Sequence, residues 1–131
     1  MPEVTRIFLI DDDEDDRWLF AEALARSVPN IQCNTAAGAT LALEMLEHST
    51  ELPDIIFMDL NMPGMDGKSC LAELKRRERL RDIPVVVYST SNYHRDIQET
   101  LRMGAVKFLM KPSGYTQLCD MFKEMFARRE H

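Results

Sequence analysis

The sequence predicts an α/β fold of the doubly wound kind, one five-stranded parallel sheet with helices on both faces. Two observations predict it. Short, continuously apolar runs alternate with longer amphipathic stretches, the rhythm of a chain that repeats strand and helix. Four of the apolar runs also stop abruptly, at an acid, an acid, a hydroxyl and a lysine, as expected where strand ends border a binding crevice. No repeat, linker or change of composition interrupts this alternation. The 131 residues, 45% of them hydrophobic, are therefore expected to form a single domain, 1–131, with no output domain attached.

The first strand runs from Arg6 to Ile10, where Ile-Phe-Leu-Ile is apolar without a break, as a strand covered on both faces requires. It ends in the acidic run Asp11-Asp12-Asp13-Glu14-Asp15-Asp16. A helix from about Asp15 to Arg26 places Leu19, Phe20, Ala23 and Leu24 on one stripe and its acids in the first turn, where the helix dipole favours them. Pro29 and Asn30 break it. A weaker strand, Ile31 to Thr35, precedes a helix from about Ala39 to Glu47 that turns Leu43 and Leu46 inward. The third strand, Asp54 to Met58, stops at Asp59. Asn61 to Gly67 is dense in turn residues, and Asp66 is placed to cap a helix running through Leu71 and Leu74 to about Arg79. The β-branched run from Pro84 to Tyr88 ends in Ser89-Thr90-Ser91. A fourth helix, Arg95 to Met103, closes on Gly104, and the fifth strand, Val106 to Met110, runs into Lys111-Pro112. The last helix, about Thr116 to Arg129, carries Leu118, Met121, Phe122, Met125 and Phe126 on one face.

In a sheet of order 2-1-3-4-5 the first and third strands are neighbours about 4.8 Å apart, which brings Asp11, Asp12 and Asp59 together. Two unit charges about 5 Å apart repel by roughly 3 kcal/mol at an effective dielectric near 20, so this cluster calls for a cation. A hard divalent ion, Mg2+ or Mn2+, suits oxygen ligands and commonly shares one or two carboxylates with a phosphate. Asp59, alone at a central strand end, is then the carboxylate left for nucleophilic attack on phosphorus. Ser89 can donate a hydrogen bond to a phosphoryl oxygen, and the flexible stem of Lys111 can bring an ammonium across.

With these residues in view, the chain resembles the receiver domain of bacterial two-component response regulators, flavodoxin-like in fold, and in particular the single-domain kind typified by the chemotaxis receiver. The resemblance implies Asp59 as phospho-acceptor, Asp11, Asp12 and Asp59 as metal ligands with the backbone carbonyl of Asn61, Ser89 and Lys111 as catalytic helpers, and Ser89 with Phe108 as the switch pair. It also implies a Lys111-Pro112 bond that is often cis in the family, and a turn matching Met62 to Gly67. Serine stands where threonine is commoner, and Phe108 lacks the hydroxyl of the more usual tyrosine. The implied function is a phospho-acceptor switch rather than an enzyme with a separate substrate. A sensor histidine kinase or histidine phosphotransfer protein would supply the phosphoryl group. Output would be protein–protein contact, through the face formed by the fourth helix, fifth strand and fifth helix, by a monomer or weak dimer.

Two other functions fit the sequence less well. A magnesium phosphohydrolase with an aspartyl nucleophile normally carries a second acid two residues on, where this chain has Asn61, and needs a cap for which no insertion is long enough. A scaffold receiver that is never phosphorylated usually lacks part of the acid set, which is complete here.

The remaining features read as structure. Asp13 to Asp16 are expected to be a solvated helix start, and Lys75, Arg76, Arg77, Arg79 and Arg81 a solvated face. Trp18 lies outside the apolar stripe, near the crevice, and is a candidate partner contact. The three cysteines and three histidines lack disulfide or zinc spacing. A formal charge of −6 speaks against nucleic acid as a direct partner. No apolar run is long enough for a membrane span and no signal peptide is evident, so the expected location is the cytoplasm.

Overall fold

In the computed structural model, which describes residues 4–127, three of the apolar runs become the central strands, buried on both of their faces. The elements are β1 (Arg6–Ile10), α1 (Glu14–Ser27), β2 (Gln32–Ala36), α2 (Ala39–His48), β3 (Ile55–Met58), α3 (Gly67–Arg76), β4 (Val85–Ser89), α4 (His94–Arg102), β5 (Lys107–Met110) and α5 (Tyr115–Met125). The strands form one sheet in the order β2-β1-β3-β4-β5, every pair parallel. The register sets Ile10 beside both Ala36 and Met58, so β1 and β3 end level with each other.

Because side chains alternate along a strand, the continuous apolar runs serve two cores. Phe8, Ile10, Ile56, Met58, Val85 and Val87 face α2 and α3, where Leu43, Leu46, Leu71 and Leu74 meet them. On the other face, Ile7, Leu9, Phe57, Val86 and Tyr88 meet Phe20, Ala23 and Leu24 of α1 and Leu118 and Phe122 of α5. β2 and β5, at the edges, are half-exposed, which is why β2 carries the weakest pattern in the sequence.

The helix ends follow local chemistry. Asp13 caps α1 by accepting from the Asp16 N–H at 3.1 Å, and Asp66 caps α3 by accepting from Ser69 at 2.8 Å. Asn30 (φ 71°) ends the turn after α1, and Gly104 (φ 116°) turns the chain after α4.

Several expectations are corrected. α3 stops at Arg76 rather than near Arg79, because the chain leaves the helix at Arg77 and turns Leu80 into the core, 1% exposed. β2 lies one residue later than predicted. Leu19, at 37% exposure, sits off the buried stripe of α1, while Trp18 is exposed as expected. No peptide bond among the described residues is cis, so Lys111-Pro112 is trans. The basic run is exposed at Arg76, Arg79 and Arg81, as a solvated face would be, but most of its side chains are also bonded. Arg76 and Arg77 hold Glu73, Arg79 donates to the carbonyls of Leu46, Glu47 and Ser49 at the end of α2, and Lys75 donates to those of Arg81 and Ile83. α5 ends at Met125 with Phe126 as its cap, short of the expected end near Arg129, a residue that itself lies outside the described ones. Among the described residues no helix is long and apolar enough to cross a membrane.

Candidate functional site: an acidic cleft around one lysine

The carboxyl ends of β1, β3 and β5 converge on one cleft. The Asp11 N–H donates to Ala36 O at 3.1 Å and the Asp59 N–H to Ile10 O at 2.9 Å, so the sheet's ladder carries past the last residues of β1 and β3 and fixes both acids. The Lys111 N–H does the same with Ser89 O at 2.9 Å, setting Lys111 beside the end of β4.

Asp11 is fully buried, and its two oxygens are already used. Oδ1 accepts from the Asp13 N–H at 3.0 Å and Oδ2 from Lys111 Nζ at 2.8 Å. Asp59, 7% exposed, accepts from the Asn61 N–H at 3.3 Å through Oδ1 and from Lys111 at 3.1 Å through Oδ2. The third Lys111 donor goes to Asp16 Oδ2 at 2.7 Å. Asp12 is exposed on the cleft wall, as is Asn61. Asp11, Asp12 and Asp59 each offer a carboxylate oxygen, all within 4.8 Å of one another.

Three carboxylates thus hold one central ammonium, with Asp12 beside them on the cleft wall. Burial outweighs every other influence on Asp11 and pushes its carboxyl above the usual range, although the Lys111 and Asp13 hydrogen bonds pull it down. For Lys111 the balance is reversed: burial alone would lower it, but the bonds to Asp11 and Asp16 and the charges of Asp11 and Asp59 hold its ammonium well above the ordinary lysine value. Lys111 Nζ also lies 5.6 Å from the Tyr88 ring centroid, a cation–π distance. An excess of hard oxygen donors over positive charge fits a divalent cation, and Asp11, Asp12 and Asp59 are the residues that could hold one.

Not every expected residue faces the cleft. Ser89 is fully buried, its Oγ accepting from the Ser91 N–H at 3.2 Å, and Thr90 is the hydroxyl residue on the cleft wall. Phe108 is half-buried and rests against the core under α2 and α3. Sequence reasoning missed Asp16 and Thr90. The acidic pattern reads Asp16 as solvated, yet its place in the first turn of α1, four residues after Asp12, is a usable signal: a helix starting at the strand end carries its first turn back over that end.

A family model described as the response regulator receiver domain matches residues 7–123. The chain belongs to this receiver family. Among its relatives, the two-component response regulator ORR6 of rice (Oryza sativa subsp. japonica) is 34% identical over 122 residues, covering 89% of this chain and 70% of that protein. The DNA-binding transcriptional regulator NtrC of Escherichia coli K12 is 32% identical over 109 residues, covering 81% of this chain, which spans only 21% of NtrC. In structure, the receiver superposes on the crystal structure of the phosphorylated cyanobacterial phytochrome response regulator RcpA with a TM-score of 0.84 and 33% identity, covering 93% of this chain and 91% of that one. The strand order 2-1-3-4-5 with five helices is the flavodoxin-like receiver fold expected from the sequence.

Proposed function

We propose that this receiver accepts a phosphoryl group on Asp59 from the phosphohistidine of a sensor histidine kinase or histidine phosphotransfer protein, in a reaction that depends on Mg2+ or Mn2+. The observation that carries the reading is the position of the Asp59 carboxylate, at the end of a central strand, open to an acidic cleft and held by the cleft's one lysine. RcpA, at 33% identity, is a phosphorylated response regulator, which supports it.

In the step, an Asp59 oxygen attacks phosphorus. The new O–P bond forms as the N–P bond of phosphohistidine breaks, and the electron pair leaves on the imidazole nitrogen, which takes a proton from solvent. Asp11, Asp12, Asp59 and the Asn61 carbonyl would hold the divalent cation, which supplies neutralising charge for the phosphoryl oxygens. Lys111 donates to a second phosphoryl oxygen by exchanging its bond to Asp59. Ser89 accepts from Ser91 and so keeps its own hydroxyl proton to give to a third.

Phosphorylation then shifts a population between two arrangements in which Ser89 and Phe108 differ, and the face formed by α4, β5 and α5 reports it to a protein target. That face carries exposed apolar side chains, Leu101, Val106, Met110 and Tyr115, which suit a protein partner. The free thiols of Cys33, Cys70 and Cys119 suit a reducing compartment such as the cytoplasm.

The test is incubation with acetyl phosphate and magnesium followed by intact mass measurement. We expect a phosphoryl adduct on the wild type, none on Asp59→Asn, and none when EDTA replaces magnesium. An adduct that persists on Asp59→Asn places the acceptor elsewhere. Steady release of phosphate from an ester substrate would instead indicate a hydrolase.

A further inference from the structure

A lysine ammonium has three N–H donors, and in Lys111 all three are taken, by Asp16 at 2.7 Å, Asp11 at 2.8 Å and Asp59 at 3.1 Å. These carboxylates differ in what the proposed reaction does to them. Asp59 receives the phosphoryl group. Asp11 belongs to the acid set that fits a divalent cation. Asp16 belongs to neither. It stands in the first turn of α1, its N–H bonded to the capping Asp13, on a helix fixed to the sheet by Phe20.

We propose that Asp16 is a positioning residue, the fixed anchor that keeps the Lys111 ammonium over Asp59 while the other two carboxylates change partners. The inference rests on the phospho-acceptor reading above. Its physical basis is the flexible four-carbon stem of lysine: an ammonium released by both Asp11 and Asp59 has many rotamers open to it, and one charge-assisted bond to a rigid helix end keeps it where the phosphoryl oxygens arrive. The Asp16 side chain is 36% exposed, against 9% for Lys111, so it can hold the lysine without being displaced from a buried site itself.

The experiment times formation of the Asp59 adduct with acetyl phosphate and magnesium in the wild type, Asp16→Asn, Lys111→Met and the double variant, with a melting curve for each. We expect Asp16→Asn to slow the reaction roughly five- to tenfold, less than a fully buried charge-assisted hydrogen bond is worth because the Asp16 side chain is 36% exposed. In the Lys111→Met background the same change should matter by less than about twofold, because coupled residues are not additive. In parallel, the Lys111 ammonium is expected to give a slowly exchanging NMR signal in the wild type that is lost in Asp16→Asn. An Asp16→Asn rate equal to or above that of the wild type overturns the proposal, as does equal slowing without Lys111 or an ammonium signal that persists. An absent wild-type adduct overturns the phospho-acceptor reading first, and this inference with it.

Discussion

Single atoms decide whether this cleft exists, and Gly67 shows it at the point where α3 begins. Its N–H donates to Leu60 O at 2.9 Å, and a methyl group at its Cα would overlap the Asp59 carbonyl oxygen and Leu60 Cα. The glycine is required here by close approach rather than by its dihedral angles. Both obstacles are backbone, so neither can rotate away. Gly67→Ala should therefore cost about 1–3 kcal/mol in urea denaturation and also slow phosphorylation, because the displaced backbone is that of Asp59 itself. Unchanged stability in that variant would falsify the close-approach account. Lys111 and Asp16 make the complementary point about charge: their bond joins residues on β5's end and α1's start that no local pattern connects.

At the scale of elements, Phe20 is the peg that seats α1. Its ring meets Phe57 of β3 at 5.1 Å, Tyr88 of β4 at 5.4 Å and Phe122 of α5 at 4.9 Å, each pair edge to face. Since α1 also carries Asp16 and the cap that shapes the Asp11 loop, loosening this peg should reach the cleft. Phe20→Ala is expected to lose about 3–5 kcal/mol by chemical denaturation, and Phe20→Leu distinctly less, because leucine fills part of the space. The elements also show where sequence reading fails. The sequence pattern carries α3 too far because Arg77, Glu78 and Arg79 are all good helix formers, and only the burial of Leu80 against the rest of the fold turns the chain there. The pattern puts β2 one residue early because an edge strand is half-exposed, which weakens its pattern.

For the molecule as a whole, carboxylates far apart in the fold share one acid dependence. Burial works against Asp54, but the N–H groups of Thr5 and Arg6 outweigh it and hold its carboxyl below 3.8. The Ser69 N–H does the same for Asp66, and Arg76 and Arg77 bring Glu73 down from 4.5 to about 2. All three folded values lie below the unfolded ones, so the stability these groups contribute is present above pH 4.5 and lost as pH falls through the folded values toward 2. Urea midpoints measured across that window should fall steadily, and more shallowly in Asp54→Asn, which removes one of the linked protons. An identical slope in the variant would rule Asp54 out as a contributor.

The sequence by itself determined the fold class, the number of strands and which residues stand at their ends, because burial on both faces demands unbroken apolar runs and a parallel sheet gathers its strand ends at one edge. It also placed Asp11, Asp12, Asp59, Ser89 and Lys111 at one edge, since strand order alone puts those strand ends there; Asn61 came only with the family resemblance. Only the tertiary structure decided what those residues do to one another. Whether Lys111 reaches Asp16, whether Ser89 or Thr90 lines the cleft, and whether a basic run stays in solvent or ties down the end of α2 depend on side-chain reach across elements distant in sequence. Periodicity records which side of an element faces the core; it holds no information about which distant residue waits on the other side.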